Sequence, residues 1–334
     1  MLMNIIDILV QSLLTILPLF LAVAIFTLME RKMMGAIQRR RGPSILGFWG
    51  ILQPIADGLK LIIKEIVIPI KSNRFLFILS PILTLLLSLV SWSVIPFSFS
   101  NIIANVPLSL LFILVISSLG VYGVLISGWA SNSKYAFLGS LRSLAQMISY
   151  EIILGLTILP PLLFSGSLNL ITIVWRQLFS TWYILPLWPL GIIFFIIILA
   201  ETNRAPFDLP EAEAEIVAGY NLEYASVIFA LFFLGEYSNM IIMSSLFVIL
   251  FLGGWLPPIL FKFLYLPFEF WFAFKIVFVG LFFIFVRANY PRVRYDQLMD
   301  LCWKCFLPFT TAYFLFSSSI IYIYKGLPNA IVSI

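Results

Sequence analysis

Pro107-Leu-Ser-Leu-Leu-Phe-Ile-Leu-Val-Ile-Ser-Ser-Leu-Gly-Val-Tyr-Gly-Val-Leu-Ile-Ser-Gly-Trp-Ala130 contains no charged side chain. A helix of about 20 apolar residues spans the roughly 30 Å hydrocarbon core of a bilayer. Within lipid a helix satisfies its own backbone hydrogen bonds, which an open strand cannot do. The stretch therefore predicts a transmembrane helix. Similar runs lie near 6–28, 75–96, 107–130, 144–165, 183–201, 224–250, 268–288 and 305–324. The run at 224–250 is long, and tilting accommodates the excess. The expected fold is all-α integral membrane: a single domain over residues 1–334, built as a bundle of about eight tilted helices. No internal repeat is evident, which weighs against a carrier made of two similar halves.

Composition points the same way. The chain is 62% hydrophobic and 10% charged, against roughly 25% charged in soluble domains. Its mean hydropathy is +1.09. Lipid must cover much of such a surface. The first apolar run is too long for a signal-peptide core and lacks a basic leader, so it reads as a retained span. The net charge of +5 does not argue for nucleic acid, because the cations sit beside spans. One side collects Arg31, Lys32, Arg39, Arg40, Arg41, Lys60, Lys64, Lys71, Arg74, Lys134, Arg142, Arg204, Arg287, Arg292, Arg294 and Lys304. The other holds Arg176, Lys262 and Lys325. The positive-inside bias predicts that the basic loops face a mitochondrial matrix or a bacterial cytoplasm.

Within the basic loop between the first two spans, Gln53, Asp57, Lys60 and Lys64 recur at helical spacing, with Ile51, Ile55, Leu59, Ile62 and Ile66 on other faces. This predicts an amphipathic interfacial helix near 50–66, too short and too charged to cross. Its polar stripe is either a solvated face or part of a site.

Charges inside spans carry the most information. Glu151, Glu236 and Lys275 fall within apolar runs. A charge at the bilayer centre costs on the order of 2.5–3.5 kcal/mol on insertion scales. Such groups face a wet cavity or a partner, and a carboxyl there can exchange a proton with it. A second concentration is Ala200-Glu-Thr-Asn-Arg-Ala-Pro-Phe-Asp-Leu-Pro-Glu-Ala-Glu-Ala-Glu215. Asp208 and Glu211 have capping-box spacing, with Pro210 in the first turn. Capping explains one or two acids. It does not explain Asp208, Glu211, Glu213, Glu215 and Glu223 together on the cation-rich side, and a polar vestibule or proton path in the acidic loop 202–223 does. Ser117, Gly120, Gly123 and Ser127 form a face of small residues, expected to pack closely on another helix.

The chain has two cysteines, Cys302 and Cys305, and no histidine. One such pair cannot furnish a zinc or iron–sulfur ligand set. No metal site or covalently held cofactor is expected, so electrons for any redox step must come from another chain.

Several stretches occur in order: Met29-Glu-Arg-Lys32, Gln38-Arg-Arg-Arg-Gly-Pro43, Leu52-Gln-Pro-Ile-Ala-Asp-Gly-Leu-Lys-Leu61, Ser131-Asn-Ser-Lys-Tyr-Ala-Phe-Leu-Gly139 and Ser149-Tyr-Glu151. The acidic loop follows, then Gly219-Tyr-Asn-Leu-Glu-Tyr224, Leu234-Gly-Glu-Tyr237 and Tyr290-Pro-Arg-Val-Arg-Tyr-Asp-Gln-Leu-Met299. Together these resemble the subunit 1 family of NADH–ubiquinone oxidoreductase, respiratory complex I. The resemblance implies a subunit at the junction of membrane and peripheral arms that forms the ubiquinone access tunnel and starts the acidic path to the proton pumps. Ubiquinone would be the substrate, and the chain would not be catalytic alone. By position, Glu151, Glu201, Asp208, Glu211, Glu213, Glu215, Glu223 and Glu236 match the acidic path. Glu30, Arg31, Asp57, Lys60, Arg204 and Arg292 match positions near the tunnel. The implied partners are other membrane subunits, the peripheral quinone-reducing and iron–sulfur subunits, and membrane lipid. The mitochondrial inner membrane is the expected location, with a bacterial plasma membrane as the alternative. A homologous subunit of an energy-conserving hydrogenase-type complex is the competing function. A self-sufficient ion carrier and a pure assembly anchor complete the alternatives.

Overall fold

The computed structural model describes residues 2–99, 101–208, 219–258 and 266–323. Among them every regular element is a helix. In chain order these are α1 (Leu2–Ile37), α2 (Gln53–Ile63), α3 (Arg74–Ser91), α4 (Ser109–Ala130), α5 (Lys134–Ser165), α6 (Leu170–Phe179), α7 (Trp188–Glu201), α8 (Ser226–Phe251), α9 (Phe268–Asn289) and α10 (Tyr295–Ile323). The last contains a π-helical stretch, Leu301–Phe306.

Among the described residues, seven helices are long and apolar enough to cross a membrane. The chain is an all-α integral membrane protein. The segment expected to cross over 183–201 is helical only over Trp188–Glu201, 14 residues, or about 21 Å at 1.5 Å per residue. Pro189 sits in its first turn and Pro186 precedes it. Proline tolerates a helix start but not a helix interior, so the apolar run begins as a turn. Elsewhere helices outrun the apolar stretches. α1 continues past 28 to Ile37, α5 begins at Lys134 instead of 144, and α10 begins at Tyr295 instead of 305. The run at 75–96 leaves α-helix at Ser91 and ends in a 3-10 turn, Trp92–Val94. The Ser133 hydroxyl caps α5 by accepting the Ala136 N–H at 3.3 Å, a signal that hydropathy does not weigh.

Helix faces toward the bundle are buried and those away from it are apolar. Leu14, Leu17, Leu21, Ile192, Leu315 and Phe316 are all exposed, as a lipid-facing surface requires. Phe194, Ile197, Val248, Ile249 and Phe251 lie in the core. The small-residue face of α4 divides in two. A Cβ on Gly123 would come within 2.2 Å of Thr84 Cγ2 on α3, whereas Gly120 has open space beside it and lines a cavity with Ser117.

The loops gather at two ends. At one, Asn73 N–H donates to the Ala130 carbonyl and Val293 N–H to that of Pro206, each at 3.1 Å. Ser226 Oγ donates to the carbonyls of Leu61 (3.1 Å) and Lys64 (2.5 Å), tying α2 to the start of α8. No residue of α2 is buried, and Ile55, Leu59, Ile62 and Ile63 are all exposed. At the other end, Gln177 Nε2 donates to the Ile249 carbonyl at 2.9 Å. Lys275 also belongs there. Its Nζ donates to the carbonyls of Leu252 (2.6 Å), Gly254 (3.0 Å) and Leu256 (2.6 Å) and lies 4.3 Å from the Trp182 ring centroid. A lysine that reads from sequence as a charge facing water or a partner is an internal cap on the end of α8.

Candidate functional site

Two polar centres lie back to back and share α8 and the turn after α7. The first is built around Glu30, near the end of α1 and 5% exposed. Its carboxylate accepts hydrogen bonds from the Tyr237 hydroxyl on α8 and the Arg287 guanidinium on α9. Arg204 Nη2 lies 3.6 Å from Glu30 Oε2. The Arg204 guanidinium also covers the Tyr237 ring, 4.3 Å from its centroid, and its Nε reaches Met240 Sδ at 3.0 Å. A buried carboxylate needs such company, because an unpaired ion in low dielectric is costly.

Beside this cluster is an apolar cavity of about 60 Å³ between α1, α8 and α9. Phe26, Met240, Ser244, Gly280 and Phe283 line it. Met240 belongs to both places, and the Phe26 ring stands edge-on to Tyr237 at 6.0 Å. Polar heads at one end and an apolar slot at the other suit an amphipathic guest.

The second centre is a cavity of about 80 Å³ enclosed by α3, α4, α5, α8 and the turn after α7. One water needs roughly 10–15 Å³ of such space, so several fit. Its wall carries Glu201, Thr202, Asn203, Tyr220, Glu236 and Ser88 among its polar groups. The Tyr220 hydroxyl donates to Glu236 Oε1. Glu201 Oε2 and Asn203 Oδ1 are buried without a hydrogen-bond partner among the described residues, and both are acceptors that cavity water can serve. Glu151 on α5 lies within electrostatic reach of Glu201.

The chain folds this way because the end of α7 is held firmly. Gln146, fully buried on α5, donates through Nε2 to the carbonyls of Ala200 (2.8 Å) and Phe207 (3.0 Å), bracing both ends of the turn. Asn203 reverses the chain at φ 49°, a conformation asparagine tolerates better than most residues. Glu201, Thr202 and Asn203 therefore face the cavity while Arg204 reaches the Glu30 cluster. On α8 the division recurs, since Glu236 lines the cavity and Tyr237 bonds Glu30.

The residues singled out from sequence fall into groups. Glu201 and Glu236 line the cavity, and Glu151 lies within electrostatic reach of Glu201 without lining it. Glu30 and Arg204 meet directly, as do Arg31 and Asp57 across α1 and α2. Lys60 is exposed on α2, one turn beyond Asp57. Asp208, 5% exposed, pairs with Arg292 at 3.4 Å, so one acid expected in the path and one cation expected near the tunnel are partners. Glu223 is half-buried between Gly219–Asn221 and α8. Glu211, Glu213 and Glu215 lie outside the described residues. The two cysteines part company: Cys302 is buried against the Ser149 carbonyl at 3.5 Å, and Cys305 is exposed. Sequence reasoning missed Tyr220, Tyr237 and Arg287 as partners of carboxylates. The available signal was the position of Tyr237 beside an in-span glutamate.

Gly139 on α5 fixes the turn that bears Tyr220. A Cβ there would stand 2.7 Å from Gly219 Cα, and backbone cannot yield as a side-chain tip can. Gly139→Ala is expected to destabilise the chain by ~1–3 kcal/mol through overpacking, read as a lower melting temperature of the purified protein. An unchanged melting temperature would show that the turn has room to move.

Comparison with known proteins bears on what the site serves. A family model described as NADH dehydrogenase matches residues 10–318. The NADH-ubiquinone oxidoreductase chain 1 of Cyanidium caldarium is 56% identical over 321 residues, covering 96% of this chain and 93% of the relative. The protein of that name from Chondrus crispus is 56% identical over 327 residues, covering 98% and 100%. An NADH-quinone oxidoreductase subunit from Rhodospirillum rubrum is 51% identical over 323 residues, covering 96% of each chain.

Proposed function

The chain belongs to the NADH dehydrogenase family, as a membrane subunit of NADH:quinone oxidoreductase, and we propose how quinone reduction and proton movement meet in it. Ubiquinone is the substrate. Its apolar tail runs along the slot between α1, α8 and α9, with Glu30 and Arg204 at the polar end. Arg31, Asp57, Lys60 and Arg292 are the further residues of the tunnel wall. The exposed apolar face of α2 lies in the membrane interface, beside the tunnel mouth. Electrons arrive from iron–sulfur subunits of the peripheral arm, because this chain carries no histidine and two cysteines.

The acidic path comprises Glu151, Glu201, Asp208, Glu211, Glu213, Glu215, Glu223 and Glu236, and leads to neighbouring membrane subunits. One observation carries the reading. The turn that lays Glu201 in the polar cavity also delivers Arg204 to the Glu30 cluster. A change of charge near Glu30 is therefore felt in the cavity. Two unit charges about 4 Å apart interact by roughly 4 kcal/mol at an effective dielectric of 20, enough to reverse the protonation of a neighbour. The membrane is a mitochondrial inner membrane or a bacterial plasma membrane, with the basic loops toward matrix or cytoplasm. The relatives' names favour quinone over a hydrogenase-type role.

The test is Glu236→Gln in the assembled complex, reconstituted in liposomes. Protons translocated per electron are expected to fall by roughly tenfold, the factor that ~1.4 kcal/mol in a barrier produces. An unchanged ratio would count against the path through this chain.

A further inference from the structure

We propose that Tyr220 is the positioning residue of Glu236, and that its phenol fixes which oxygen of that carboxyl carries the exchangeable proton. The inference rests on the reading of the polar cavity as a proton route. Tyr220 is 2% exposed, and its hydroxyl donates to Glu236 Oε1. The ring stands edge-on to Phe232 at 5.6 Å, one helical turn before Glu236 on the same helix. Both residues line the cavity, so this is a built contact at the water-accessible end of the carboxyl.

The phenol is held from several directions. Behind it, Gly219 takes φ 58° and lies against Gly139 of α5. Ahead of it, the Tyr224 ring stacks on Phe77 of α3 at 4.1 Å and 4°. The Tyr224 hydroxyl is 3.0 Å from Ser80 Oγ, and its ring meets Phe232 at 5.0 Å. The turn 219–224 is thus pinned to α3, α5 and α8. A phenol can donate to a carboxylate oxygen and, more weakly, to the carbonyl oxygen of a protonated carboxyl. With Oε1 serving as that acceptor in both states, the proton is taken up and released on Oε2.

The experiment uses the assembled complex in liposomes, compared at equal amounts of complex. Tyr220→Phe keeps the ring and removes the donor. Protons per electron are expected to fall by roughly tenfold. The double variant Tyr220→Phe with Glu236→Gln is expected to match Glu236→Gln alone. In difference infrared spectra, the carbonyl band of protonated Glu236, identified by its loss in Glu236→Gln, is expected at higher wavenumber in Tyr220→Phe. Full pumping by Tyr220→Phe, additive losses in the double variant, or an unmoved band would each overturn the proposal. Should Glu236→Gln itself pump normally, the proton-route reading falls. The infrared band then decides the tyrosine by itself, upheld if displaced and overturned if not. Where Tyr220→Phe does not assemble, Glu236→Asp withdraws the carboxyl from the phenol while keeping its charge. A comparable loss in that variant supports the proposal, and undiminished pumping overturns it.

Discussion

Glu30→Gln is expected to remove most of the assembled subunit from the membrane, at a cost of ~3–5 kcal/mol. The amide has the shape of the carboxyl and still accepts a hydrogen bond from Tyr237. What it lacks is the charge that faces Arg204 and Arg287 together. The Arg204 side chain is 11% exposed and that of Arg287 33%, so water screens the first poorly. Two guanidinium groups would then converge on a neutral group in low dielectric. Breaking one partner out of a buried ion network costs more than the network contributes, because the remaining charge stays buried. The amount of complex on native gels and its melting temperature measure the effect. Glu30→Asp, which keeps the charge on a shorter stem, should lie between wild type and Glu30→Gln. Wild-type amounts of Glu30→Gln complex would mean that the arginines are balanced from elsewhere.

Lys275→Met is the second large effect, and it is purely structural. An ammonium has three protons, and Lys275 places them among the carbonyls of Leu252, Gly254 and Leu256. Those carbonyls turn away from helical partners because Gly253 and Gly254 take φ of 74° and 54°. Methionine fills similar volume, so packing survives and the loss isolates the donors. Each buried acceptor left unsatisfied costs ~1–3 kcal/mol, so the three together make ~3 kcal/mol or more. Lys275→Arg should rescue little, since a planar fork does not converge on one point as an ammonium does. The readout is again melting temperature and assembled complex. A methionine variant as stable as wild type would show that the end of α8 is held by other means.

These examples show what a sequence reveals here and what it withholds. Apolar run length is a local property, so the membrane class and most helices are legible without a structure. Helix ends are less so. The segment 134–143 carries Lys134, Arg142 and two serines, which depress hydropathy although the capped helix runs straight through them. The turn at 183–187 is apolar enough to imitate a span, and only its prolines betray it. The acids were legible because a charge inside an apolar run stands out. Their partners were not. Glu30 and Tyr237 are 207 positions apart, and no local pattern announces a contact at that separation. Lys275 resembles Glu236 in sequence, as a lone charge in a span. The difference between a cap and a proton site lies in backbone carbonyls that every residue possesses.

Glu236 and Tyr237 are consecutive on α8, yet they serve different centres. Neighbours on a helix diverge by about 100°, and side-chain tips lie roughly 5–6 Å from the axis. A swivel of α8 by ~20° would carry both tips by about 2 Å, more than a hydrogen bond survives. The Glu236–Tyr220 and Tyr237–Glu30 bonds therefore break or hold as one. Substitutions far along α8 that alter its rotation should disturb both centres at once, and a screen that scores them separately would mistake one mechanical event for two defects.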